Sequence, residues 1–146
     1  MKPIFQDFLL QNQISLSYTL KKITSENISM RLTPEAASVG FIYRHIGEVM
    51  HLMGQFFGFP TEVKNTTMGF QDEGQGSDLL VTQKLVEDGF KLMDHIIEST
   101  PDESWSEQIE TPFFGTLSKA RLFSHILYHN SYHTGQMALT LKRGGI

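Results

Sequence analysis

No cysteine occurs anywhere in the 146 residues. Its absence excludes disulfide bridges, thiolate metal sites and a cysteine nucleophile. Any transition-metal site must then be built from His, Asp or Glu. The sequence also lacks an apolar run approaching the ~20 residues that a membrane-spanning helix needs. The opening Met1-Lys2-Pro3-Ile4-Phe5-Gln6-Asp7 has no charged segment followed by an apolar stretch and a small-residue cleavage site. No membrane partner is expected, and a cytoplasmic location is. Positive charge is sparse as well: 12 Lys and Arg against 16 Asp and Glu, a net −4, with no basic cluster. A nucleic-acid partner needs a concentrated basic face, so none is expected. A chain of this length buries roughly 68–70% of its unfolded surface. One domain over residues 1–146 can therefore form a core unaided.

What is present reads as helix. Ile4, Phe5, Phe8, Leu9, Asn12, Leu16, Leu20 and Ile23 recur at three- and four-residue steps and predict a first helix over 4–23. Thr33-Pro34-Glu35 carries a Thr cap, Pro in the first turn and an acid behind it, which predicts a second helix running to about Phe57. Residues 58–76 are rich in Gly and lack a period, the composition of a long loop. Ser77 or Asp78 can cap a third helix ending near Ser99. Thr100-Pro101-Asp102 breaks the chain, and Trp105 and Ile109 are expected to anchor a second loop. Thr116 or Ser118 can cap a fourth helix that stops at Lys142-Arg143 before Gly144-Gly145. No segment of comparable strength reads as strand. The expected fold is an all-α four-helix bundle.

The densest chemistry lies on the fourth helix. His125, His129 and His133 follow one another at four-residue spacing. Residues four apart on a helix are neighbours on one face, about 5–6 Å apart at Cβ. Two imidazoles at that spacing can close on one metal ion at about 2.0–2.1 Å from each nitrogen. They share a stripe with Leu122, Ile126, Gln136, Met137 and Thr140, the face expected to point into the bundle. His45, inside the apolar stripe of the second helix, is a candidate third ligand. His51 falls about 120° around that helix from His45, and His95 lies between stripe positions; neither is expected to bind metal. The competing reading of any one such histidine is a hydrogen-bonded core residue. Several in one apolar stripe are costly to bury unpartnered. His125, Gln136 and Glu48 are candidates for the shell behind the ligands; Glu48, one turn after His45, is also the candidate fourth ligand of a closed site, with that outer shell or the surface favoured for it. Gly135 reads as a point of close packing against another helix. All-nitrogen ligation suits zinc or nickel and leaves copper open. Protons compete for free imidazole near pH ~6.5, so metal binding should weaken through that range.

His-Asn-Ser-Tyr-His-Thr-Gly-Gln, residues 129–136, resembles the His-x-x-x-His-Arg-Gly-Gln signature of the DinB-like superfamily. Ser-Val-Gly-Phe-Ile-Tyr-Arg-His, residues 38–45, resembles its second-helix motif ending in a ligand histidine. Thr-Pro-Phe before the last helix fits the same pattern. The resemblance implies a DinB/YfiT-like bundle, often a homodimer, with a divalent metal, zinc or nickel, held by His45, His129 and His133. It further implies a metal-dependent S-transferase that activates a low-molecular-weight thiol such as bacillithiol, mycothiol or glutathione against an electrophilic small molecule. The alternative is a non-catalytic bundle with a structural or sensing metal, associated with stress response. Thr134 departs from the pattern, standing where the family has Arg. The eleven Phe, many for one small core, also favour a homodimer.

Overall fold

The structure, a computed structural model, describes residues 1–145. Four helices carry it: α1 (Lys2–Leu20), α2 (Val39–Gly54), α3 (Leu79–Ser99) and α4 (Lys119–Arg143). Short 3₁₀ turns follow α2 at Gln55–Phe57 and precede the last helix at Asp102–Ser106. No helix among the described residues is long and apolar enough to cross a membrane.

Helix starts follow local chemistry. The Asp78 carboxylate accepts from the Val81 N–H at 3.0 Å and opens α3. The Ser118 hydroxyl accepts from the Arg121 N–H at 3.2 Å and opens α4. Each satisfies one of the four N–H groups that a helix start leaves free.

The start of α2 differs from expectation. Thr33-Pro34-Glu35 forms a turn, and the helix begins at Val39 under a Ser38 cap. The reason is tertiary. The N–H groups of Val39 and Gly40 are taken by the carbonyls of Met30 at 2.9 Å and Ile28 at 2.8 Å. The Ser38 N–H is held by the Asp72 carboxylate at 2.7 Å. Gly40 also lies backbone to backbone against Gly76, leaving no room for a Cβ on either residue. The packed segment before the helix and the end of the long loop thus fix where it starts.

The second departure is a hairpin. β1 (Gln108–Thr111) pairs antiparallel with β2 (Gly115–Ser118), Ile109 opposite Leu117 and Thr111 opposite Gly115. Gly115 turns it at φ 61°. Leu117 and Thr111 are buried, and β2 runs directly into α4.

The core lies between α2, α3 and α4, with Ile46, Met50, Met93, Ile96, Leu122 and Ile126 fully enclosed. Small residues bring α2 and α3 close: Gly47 lies against Leu85 and Gly89 against Met50. Trp105, fully buried as expected, stacks on Phe5 at 4.0 Å between ring centres and meets Phe123 edge-on. It closes one end of the bundle.

Candidate metal centre

Three imidazoles converge where α2 faces α4. His45 Nε2 and His129 Nε2 are 3.0 Å apart. One ring nitrogen from each of His45, His129 and His133 lies within 4.8 Å of the others. Among the described residues no fourth His, Asp or Glu joins this group. Tetrahedral bonds of about 2.0–2.1 Å separate neighbouring ligand nitrogens by about 3.3–3.4 Å, so the cluster needs only small side-chain adjustments to hold one ion.

The partners behind the rings decide which nitrogen carries a proton. The Thr67 hydroxyl donates to the Glu48 carboxylate at 2.7 Å. Its oxygen, 3.0 Å from His45 Nδ1, must then accept the Nδ1–H. His45 is left with a bare Nε2 aimed at the cluster. His133 Nδ1 donates to Gln136 Oε1 at 2.6 Å, which frees its Nε2 in the same way. His129 Nδ1 is buried without a partner among the described residues. Two bare nitrogens set against a third ring are a donor set for a cation.

Glu48 is fully buried on the structural side of the site. Its oxygens accept from the N–H groups of Thr66 at 2.8 Å and Thr67 at 3.1 Å, from both Thr hydroxyls, and from Arg44 Nε at 2.7 Å. Burial alone would push its carboxyl up, but these hydrogen bonds outweigh it and hold it below its usual value. Glu48 is therefore an ionised anchor for the 66–67 segment, and its oxygens are committed away from the histidine cluster. Thr66 and Thr67 had no signal in the sequence beyond their place in the long loop, and Thr67, Met68 and Gly69 of that loop form part of the pocket wall.

Burial, with the neighbouring rings, lowers His45 to about 4 and His129 to about 3. Burial lowers His133 too, against the opposing pull of Gln136. All three are neutral, ligand-ready imidazoles at ordinary pH, and the window in which protons compete lies below the ~6.5 of free imidazole.

The other sequence candidates divide. Gln136 is exposed but engages His133 directly. His125 is half-buried against Phe114, 4.5 Å between ring centres, outside the cluster. His51 reaches the Leu85 carbonyl at 3.1 Å, and His95 is exposed beside Phe59. Gly135 is exposed with nothing within 4 Å of a built Cβ, so the expected close packing is absent. Thr134 is buried, its hydroxyl returned to the Asn130 carbonyl at 2.7 Å.

A cavity of about 570 Å³ opens beside His45 and His133. A larger cleft of about 950 Å³ between α1 and α3 contains none of the histidines. The donor groups place the chemistry at the smaller one.

A helical bundle whose facing helices bring three histidines together, two of them in the wall of one cavity, defines a protein able to bind a metal ion in its core. The chain belongs to the DinB family, whose model matches residues 5–146. Among solved structures it is similar to a conserved protein from Enterococcus faecalis, with TM-score 0.73 and 11% identity over 96% of this chain and 94% of that one. That likeness concerns the fold. No curated protein matches the sequence.

Proposed function

We propose that the protein is a divalent-metal-dependent S-transferase, acting in the cytoplasm on a low-molecular-weight thiol and an electrophilic small molecule. The observation that carries this reading is a cluster of three neutral histidines, two of which, His45 and His133, line an open cavity, with no fourth protein ligand among the described residues. An ion held by His45, His129 and His133, zinc or nickel by donor type, supplies the Lewis acidity that lowers a thiol's pKa. The chain has no cysteine, so the thiol comes from outside.

In the reaction the sulfur lone pair forms the new S–C bond. The electrophile's leaving group departs with its bonding pair or, in a ring-opening or addition, its new anion takes up the proton that sulfur released. The chain's own part is orientation. Thr67 and Gln136 fix two rings with their Nε2 atoms facing the cluster, and Glu48 fixes Thr67. The alternative, a closed structural or sensing site, needs a fourth ligand; Glu48 was the candidate, and its oxygens are occupied elsewhere.

Metal analysis of the purified protein and its His→Ala variants tests the ligand set. His45→Ala, His129→Ala and His133→Ala should each lose most of the ion, whereas His51→Ala and His95→Ala should keep it. A panel of thiols against 1-chloro-2,4-dinitrobenzene, with and without added zinc or nickel, tests turnover. Metal uptake without any metal-dependent thioether formation across the panel would leave the non-catalytic reading in place. We also propose a homodimer, built on the apolar outer faces of α1 and α4.

A further inference from the structure

The cavity beside His45 and His133 has an unusual inventory of polar groups. Its walls include Leu32, Phe41, Ile42, Met68 and Leu139. No Lys, Arg, Asp or Glu lines it among the described residues. The two guanidinium groups on the flanking segments are spent elsewhere. Arg31 pairs with Asp72 at 2.9 Å and donates to the Ala36 carbonyl, and Arg44 is held by Glu48 and Thr66.

The remaining polar side chains can be counted proton by proton. The Thr67 hydroxyl proton goes to Glu48, at 2.7 Å. The Thr140 hydroxyl proton goes to the Gln136 carbonyl, at 2.9 Å. Gln136 Oε1 accepts from His133 Nδ1 at 2.6 Å. The Gln136 side-chain NH₂ makes no hydrogen bond among the described residues, and that amide is fixed in orientation by His133. Among the lining side chains it is the one donor left over.

We infer that this cavity takes an uncharged, apolar-bodied electrophile with one hydrogen-bond acceptor beside its reacting carbon, which the Gln136 NH₂ binds. The inference rests on the reading above in taking the histidine end of the cavity as the reacting end. Apart from an ion at the histidine end, the walls offer a carboxylate or phosphate no counter-charge, so its entry along them carries the cost of desolvation. An apolar body gains from wall contact, and the cavity volume lies within the ordinary range for small-molecule sites.

The test uses metal-free protein at pH 8, so that no ion can coordinate the probes. The neutral dye N-phenyl-1-naphthylamine reports occupancy by fluorescence. Three competitors share a phenylbutyl skeleton: 4-phenyl-2-butanone, 4-phenylbutanoate and butylbenzene. The ketone should displace the dye, and the carboxylate should be about ten-fold weaker or worse. Gln136→Leu should weaken the ketone about five-fold, the worth of one hydrogen bond, and leave butylbenzene within about two-fold. Leu139→Glu should weaken the dye itself. Both substitutions fall on exposed positions of α4, and an unchanged helical circular dichroism spectrum checks folding.

A carboxylate that competes as well as the ketone overturns the inference. So does a ketone indifferent to Gln136→Leu, a dye indifferent to Leu139→Glu, or no dye binding at all. Metal uptake is measured separately. Protein that takes up no ion yet passes these competitions loses the transferase reading and keeps the pocket. Protein that binds metal and fails them loses the pocket assignment alone.

Discussion

At Thr67 one hydroxyl faces two partners, accepting from His45 and donating to a buried carboxylate. Valine keeps the shape and removes both bonds. Outer partners of metal-bound histidines typically contribute about 10–100-fold in affinity. Thr67→Val should therefore weaken zinc binding by about ten-fold or more, read by competition with a chromophoric chelator, and Thr67→Ser should restore it. Equal affinity in Thr67→Val would remove the hydroxyl from the site's design. The histidines were legible in sequence because their spacing is local: 129 and 133 share a helix face whatever else the chain does. Thr67 was not, because it meets His45 across 22 residues of chain through a loop without a period. Proton linkage belongs to this scale as well. His45 and His129 are lowered to about 4 and about 3, first by burial and then by the neighbouring His133, against ~6.5 when unfolded. Between those values the unfolded chain binds more protons than the folded one. Metal-free stability should thus be level above about pH 7 and fall as pH drops toward 4. Metal retention should persist through pH ~6.5, because burial holds all three folded ligands below the free-imidazole value. Urea midpoints and metal content across that range check both, and loss of half the ion near pH 6.5 would show the ligands to titrate as free imidazoles.

The elements show what periodicity can and cannot supply. Four helices were visible because each repeats its apolar residues over several turns, and every boundary except the start of α2 fell within about three residues of the expected position. The hairpin at 108–118 was not visible: two strands of four residues are too short for an alternation to stand out from a loop. The start of α2 went astray because Thr33-Pro34-Glu35 has the right local chemistry but not the right surroundings. The Gly40–Gly76 contact and the carbonyls of Ile28 and Met30 set the start at Val39 instead. That contact also ties the long loop to the helix that carries His45. Gly76→Ala would drive a Cβ into the Gly40 backbone, which no rotamer change relieves. A cost of about 1–3 kcal/mol is expected from such overpacking, concentrated on the loop. Hydrogen exchange should quicken over residues 61–76 before it quickens in α3. Unchanged exchange there, with unchanged thermal stability, would mean that the two backbones separate at no cost.

At the scale of the whole molecule, the outer side of α1 does not look like a surface meant for water alone. Ile4, Phe8 and Leu10 are each 54% exposed, and Tyr18 60%. On the neighbouring face of α4, Tyr128 is 71% and Tyr132 56% exposed. Scattered exposed apolar residues need no explanation, but aromatic and aliphatic side chains gathered on two adjacent helices support the proposed homodimer. Phe8, Tyr128 and Ser131 line a shared groove of about 320 Å³ between α1 and α4. A second copy, turned by two-fold symmetry, would set one apolar face against its twin, the commonest way for a homodimer to close. The histidines of one copy all come from its own α2 and α4, so the ion does not depend on the pairing. Sedimentation equilibrium should therefore find a dimer at micromolar concentration. Phe8→Glu, which places a carboxylate in the middle of that face, should give a folded monomer with full metal content. Purely monomeric wild-type protein at high micromolar concentration would contradict the dimer. A Phe8→Glu variant that stayed dimeric would move the interface to another face of the bundle.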